Sequence, residues 1–473
     1  MVIAGWFARL CGRQGHRRTN KLRRVTRSPY AHVAAEVLEV RSLLSNIAVT
    51  VQGGVVNLSG DTGDHNFTAD VVTISSAPNL EFTGTAGTEF TFNNTTVATL
   101  DIPLSTIGTI KGLDITMQGG NDTVSFDATN LGTIEGNVTI KLGDGTNSLT
   151  FNNATATGSV VVTSGSGDDT IQMTGDAVES LSIDTGDGTD AVTLSTVTIG
   201  GQDESSSHDY NGDFSGGWWR HSWFGGWGGD EYDHLNNSSL NIMTGDGDDT
   251  VTLNSVTGNG STSSGSWHSG DDAWWGGNSW CSGGDHGNAL WQISLGSGTD
   301  SVSLTSVSDP GSVSIRAGSG TDTVNLTSST IQGSTNVALS SGDSSQINVT
   351  SSTLNGKTSL STGSGDSQSI SVNDSTFAAK TQFSMGGSGA TLNIENGSIA
   401  GPGTTFQASV VARLNGPSAV ANLGGPSPNN TLTFEKSLAV FGGNPNATVN
   451  IATANTTLDD NHLHLHNANR VNV

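Results

Sequence analysis

Charge is what this sequence has least of. Charged residues make up 13% of its 473 residues, too few for a helical bundle or a coiled coil. Basic residues are scarcer still: 18 Lys and Arg stand against 43 Asp and Glu, for a net charge of −25. An acidic body repels a phosphate backbone, which argues against nucleic acid as a partner. Cysteine occurs only at Cys11 and Cys281, so no disulfide framework holds the chain. No apolar run approaches the length of a membrane span.

Glycine is abundant, at 64 residues, and Ser, Thr, Asn and Asp are plentiful beside it. Small polar residues mixed with β-branched apolar ones favour short strands joined by tight turns. Disorder is the competing reading of such a composition. A repeat excludes it. From residue 118 one phrase returns: a glycine turn, an Asp, then apolar-polar-apolar. It reads GGNDTVSF at Gly119–Phe126, GSGDDTIQM at Gly165–Met173, GDGDDTVTL at Gly245–Leu253 and GSGTDTVNL at Gly318–Leu326. Undisturbed copies lie about 22 residues apart.

Each repeat carries three strand signals. One is the phrase's own pair, such as Val302/Leu304 and Val324/Leu326. A second precedes the turn, as in Val138/Ile140, Leu181/Ile183, Leu240/Ile242 and Val313/Ile315. A third lies between them at Ile331, Leu354, Phe377 and Ile399. Period-two alternation turns one side chain inward and the next outward. Strands this short become stable only by stacking on their equivalents in the next coil. The expected fold is all-β, a right-handed parallel β-helix (β-solenoid) of about 22 residues per coil.

Four regions follow. Residues 1–45 form a basic export leader, with Arg9, Arg13, Arg17, Arg18, Lys21, Arg23, Arg24, Arg27 and Arg41 against Glu36 and Glu39. Residues 46–117 hold an N-terminal cap and irregular coils, including loose copies at Gly84–Phe92 and Leu113–Met117. Residues 118–400 are the regular solenoid. Residues 401–473, richer in proline, are looser coils and a cap, with strands at Leu432–Phe434 and Val449–Ile451.

The leader ends in Leu38-Glu39-Val40-Arg41-Ser42-Leu43-Leu44-Ser45. This resembles the LEPR-XLL motif of planctomycete surface proteins, with Val40 in place of the usual proline. The resemblance covers the leader alone and implies export of a repetitive body, secreted or at the cell surface.

The repeat phrase is similar in part to the calcium-binding repeats of RTX proteins, GGxGxDxUx, although here one copy occurs per coil and not in tandem. Register places Asp122, Asn147, Asp169, Asp190, Asp249, Asp300 and Asp322 at one corner of successive coils. Carboxylates stacked about 4.8 Å apart repel by roughly 1 kcal/mol in water, and by more at lower dielectric. A bound Ca²⁺ ladder on Asp122, Asp169, Asp190, Asp249, Asp300 and Asp322 would relieve this. Turn capping through backbone amides is the alternative, and Asn147 fits it.

Two insertions of about 37 and 29 residues interrupt the repeat near 200–236 and 258–290. Both follow the same point in the coil, so they leave one edge side by side. The first carries Trp218, Trp219, Trp223 and Trp227, the second Trp267, Trp274, Trp275 and Trp280, with Trp291 just beyond. Tryptophan stacks on sugar rings and carries a donor, which points to a polysaccharide or surface polymer as partner. The blander reading is that these rings cover an edge. His462, His464 and His466 alternate near the C-terminus; on one strand they would share a face that could grip Zn²⁺ or Ni²⁺.

The function expected is that of a structural or adhesive surface protein, not an enzyme. The alternative is a β-helix polysaccharide lyase or glycoside hydrolase, with carboxylates among Asp209, Asp213, Asp230 and Glu231. Basic residues are scattered, and no GxSxG, HExxH or phosphate loop appears.

Overall fold

The computed structural model describes residues 45–200, 239–258 and 290–472, apart from short breaks at 310, 343, 397–400, 426–430 and 459. The leader and its motif, the eight insert tryptophans, Asp209, Asp213, Asp230, Glu231 and Ile399 lie outside the described residues.

The chain winds as a parallel β-solenoid. The strand of each phrase forms a first face: Ser301–Thr305 pairs in parallel with Thr250–Asn254 before it and Thr323–Thr327 after it. A second face stacks Leu290–Ser294, Ser312–Ala317 and Thr335–Leu339. A third stacks the two-residue strands Thr330–Ile331, Thr353–Leu354 and Thr376–Phe377. The second and third faces join into one 27-stranded sheet, because Thr155–Thr163 and Ala177–Asp184 run through the corner between them. The first face belongs to a 16-stranded sheet.

Alternation sets what is inside. Val302, Leu304, Val313, Ile315, Val324 and Leu326 are buried, while the residues between them face outward. Burying each such side chain stabilises by about 1.5–3 kcal/mol, and only the neighbouring coil completes that burial. Like side chains form columns. On the third face Phe377, Phe406 and Phe434 stack at 4.7 and 5.1 Å between ring centres. Phe406 takes the place expected of Ile399: Thr404–Phe406 pairs with Thr376–Phe377. The coil is lengthened there, and a count of 22 residues lands too early. Trp291, close in sequence to the second insert, is a core residue paired between Leu240 and Val313.

The N-terminal end departs from the coil pattern. Asn66–Ile74 pairs antiparallel with Ala77–Thr85, which pairs antiparallel with Thr99–Pro103. Ser45–Gln52 pairs antiparallel with Val55–Ser59, and Thr88–Phe92 with Thr95–Val97. The segment Gly84–Phe92, expected as a loose coil, is the end of one hairpin strand followed by the whole of the next, Thr88–Phe92, which also pairs in parallel with Ser45–Gln52. A first coil has no predecessor to stack on, and hairpins pair the edges that it would leave open. By contrast Gly112–Thr116 joins the solenoid, in parallel with Val55–Ser59 and Val138–Lys141. At the other end, Leu432–Phe434 and Ala447–Ile451 continue the ladders.

Candidate functional site

Three places on the coil were marked by the sequence: the turn corner, the corner of the inserts and the histidine strand.

The turn corner assembles as the repeat requires. Asp122, Asn147, Asp169, Asp190, Asp249, Asp300 and Asp322 form one column, and all are buried, at 2% exposure or less. They are joined by a chain of hydrogen bonds from coil to coil. The Asp122 amide donates to Asn147 Oδ1 at 3.0 Å, and the Asn147 amide to Asp169 Oδ1 at 2.8 Å. Asp169 donates to Asp190 at 2.8 Å, Asp190 to Asp249 at 2.9 Å, and Asp249 to Asp300 at 3.1 Å. His65 closes the N-terminal end: its amide donates to Asp122 Oδ1 at 2.8 Å, and its Nδ1 lies 2.8 Å from the same oxygen.

This geometry favours the turn-capping alternative over a calcium ladder. Each carboxylate points into the coil and spends Oδ1 on a backbone amide. Ca²⁺ takes six to eight oxygens, and among the described residues no three His, Cys, Asp or Glu side chains are grouped to hold a metal. Burial pushes the carboxyls of Asp169, Asp249 and Asp322 above the usual range, Asp190 to about 6 and Asp300 to about 7. The exposed aspartates of the same turns also cap amides. Asp144 accepts from the Ser166 amide at 2.9 Å and Asp248 from the Thr299 amide at 2.7 Å. The Ser166 amide and hydroxyl hold the Asp144 carboxyl below its ordinary value.

Both inserts leave one corner, as their position in the coil implies. Thr198–Ile199 and Thr257–Gly258, which pair in parallel, lead into them. Ser239–Met243 and Leu290–Ser294, also paired, receive the chain afterwards. The two stretches thus start and finish on adjoining rungs, between the third and second faces.

The histidines do not form one face. His464 and His466 are outward on Leu463–His466, but His462 ends a 3-10 turn, Asp460–His462. That turn breaks the alternation on which the metal reading depended. His466 stacks on Phe441, ring centres 4.8 Å apart and planes nearly parallel at 4°.

Two features were missed at the sequence level. A second interior column runs through Ser329, Ser352, Ser375 and Thr404, each hydroxyl accepting the amide of the preceding rung at 3.1 to 3.2 Å. Its signal was present, as the serine before the third strand in SSTI, SSTL and DSTF. The other is the outer surface of the first face. From Ser148–Asn152 through Ala447–Ile451 its strands hold no Asp, Glu, Lys or Arg. Its central row runs through Thr193, Thr252, Ser303, Asn325, Asn348 and Ser371 in register. Amides bridge successive coils along it, from Asn348 to Asn325 at 2.9 Å and from Asn422 to Asn393 at 2.8 Å. The second face, by contrast, carries Lys141, Asp184, Arg316 and Arg413.

No described helix is long and apolar enough to cross a membrane. Compared with protein-family models, with curated proteins and with solved structures, the chain finds no match in any of the three.

Proposed function

We propose that this chain is a secreted or cell-surface solenoid with a structural or adhesive role, holding an uncharged polysaccharide or similar hydroxyl-rich polymer. The observation that carries this reading is the first face. A chain of net charge −25 keeps this face free of charge from Ser148–Asn152 through Ala447–Ile451, and fills it with hydroxyls and amides repeated at the coil spacing. Such a surface offers both donors and acceptors, and a neutral polymer binds it without desolvating an ion. The tryptophan-rich inserts support the same reading by their composition, since tryptophan is suited to stacking on sugar rings and both stretches begin and end on adjoining rungs.

Depletion of the intact protein from solution by insoluble glycans tests it. Retention on at least one neutral glycan, lost when Thr252→Lys and Asn325→Lys are combined, is the expected result. A second variant replaces residues 201–238 and 259–289 by short turns like Gln332-Gly333-Ser334. Loss of retention in that variant alone moves the contact to the inserts. No retention on any glycan, or release of soluble sugar, overturns the adhesive reading.

A further inference from the structure

We propose that Asp169, Asp249, Asp300 and Asp322 of the turn corner are neutral carboxylic acids in the folded protein, each using a proton on Oδ2 to donate to a turn carbonyl, so that the solenoid loosens as pH rises. The column contains its own reference rungs. At Asn147 the atom in the place of Oδ2 is Nδ2, and it donates to Gly143 O at 3.0 Å and Gly145 O at 3.1 Å, with Ser164 Oγ at 3.1 Å. Further along, Ser345 holds the same place. Its Oγ accepts the Asp322 amide at 3.2 Å and donates to Gly320 O at 3.3 Å. Gln368 follows, and its Nε2 donates to Gly342 O. These three polar neutral rungs thus each turn a donor toward a carbonyl of the glycine turn, and beyond them the place is taken by Ala390 and Ala419.

An aspartate on the same rung meets the same surroundings. Oδ2 of Asp169, Asp249, Asp300 and Asp322 is buried and makes no hydrogen bond. An ionised oxygen there would face carbonyl lone pairs in a dry interior, which is strongly unfavourable. A proton converts it into the donor that Asn147 supplies by covalent structure. The rungs differ in the residue five positions earlier. At Asp190 this is Thr185, whose Oγ1 donates to Oδ2 at 2.6 Å. Asp169 and Asp249 have Ser164 and Thr244 there, hydroxyls that act to lower their carboxyls against the larger effect of burial. At Asp300 and Asp322 the position is Leu295 or Ala317. These two acids therefore have the least support for a charge.

Among the described residues, the charged groups acting on the column are acidic, apart from His65 beside Asp122. Asp168 faces Asp169, Asp246 and Asp248 face Asp249, and Asp248, Asp249 and Asp322 face Asp300. None of these acids favours ionisation of the column's interior. Burial raises the folded-state value, to about 7 for Asp300, above the unfolded value of about 3.9. Within that window the native state holds protons that the unfolded state releases. Stability is therefore greatest on the acid side and falls as pH rises toward 7.

Unfolding of the full chain measured between pH 4.5 and pH 8 tests this, together with Asp300→Asn and infrared spectra of the parent. Within the window the unfolding equilibrium constant is expected to rise by up to about tenfold per pH unit for each proton held. Asp300→Asn is expected to raise the midpoint at pH 8 and to flatten its dependence on pH. A carboxylic-acid carbonyl band, present in the folded parent near pH 6 and absent after unfolding, is the readout that needs no variant. A midpoint independent of pH with no such band, or a parent midpoint raised at pH 8 by added Ca²⁺, would overturn the proposal; the second result would place a cation where the proton is assigned. Glycan retention plays no part in these readouts, so they stand apart from the adhesive reading.

Discussion

The second glycine of each turn phrase stands where two coils approach most closely. At Gly298 φ is +156°, and a Cβ there would sit 1.7 Å from the Gly247 carbonyl oxygen; at Gly320 the corresponding distance to Gly298 is 1.5 Å. No side chain fits without separating the coils, so Gly298→Ala is expected to destabilise by about 2 kcal/mol or more, read as a lowered denaturation midpoint. At Gly389 a Cβ would meet nothing within 4 Å. Its φ is also positive, at +75°, so Gly389→Ala is a control for backbone strain alone. Asp176 lies on another interior rung. It accepts the Ala154 amide at 2.8 Å, and burial pushes its carboxyl to about 7. The equivalent position in later coils is held by Ser329, Ser352 and Ser375. Copying them with Asp176→Ser removes a buried oxygen that lacks a partner. It is expected to stabilise by about 1–3 kcal/mol at pH 8 and to have less effect at pH 4.5, where the parent acid is neutral. Equal effects at both pH values would mean that packing, not charge, dominates there.

A coil is the unit that can be added or removed. Residues 301–322 make one complete coil: Ser301 pairs with Thr323, and the Asp300 amide donates to Asp322. Deleting them joins Asp300 to Thr323 and leaves every inward position inward. Such a chain is expected to keep its β-rich circular dichroism and its cooperative unfolding, whereas deleting 301–311 removes half a coil and mismatches all three faces. Equal damage from both deletions would contradict a repeating architecture. The same regularity explains what could be read from the residues. Val302/Leu304 and Val313/Ile315 alternate without interruption, so their burial follows from period two. The aspartates are different. Their corner was legible from spacing, but the chain reaches them through glycines of positive φ, where alternation fails, so whether the carboxylate faces inward or outward was not. The 3-10 turn at Asp460–His462 hides the direction of His462 in the same way. The uncharged first face needed the three ladders to be separated before the outward residues of one could be compared with those of another.

At the scale of the whole chain, the two ends of the ladders pose the same problem, because a coil without a neighbour exposes strand edges and inward apolar side chains. At the N-terminal end the hairpins answer it with a small aromatic core. Phe90 lies 5.7 Å from Phe67, edge-on, and 5.8 Å from Phe82, and all three are fully buried. Phe82→Ala is expected to cost about 3–5 kcal/mol, loosening the cap before the repeat. A chain starting at Gly112 tests the role of the cap directly. It lacks the partners of Gly112–Thr116 and Thr123–Asp127, which are Val55–Ser59 and Asn66–Ile74. Each of these strands carries a single acidic residue, Asp114 and Asp127, so charge repulsion guards the edges only weakly. The truncated chain is therefore expected to associate through them, seen as concentration-dependent growth in light scattering, with the intact chain unchanged under the same conditions. A truncated chain that stays monomeric with an unaltered unfolding midpoint would show that the hairpins are not needed to terminate the ladder.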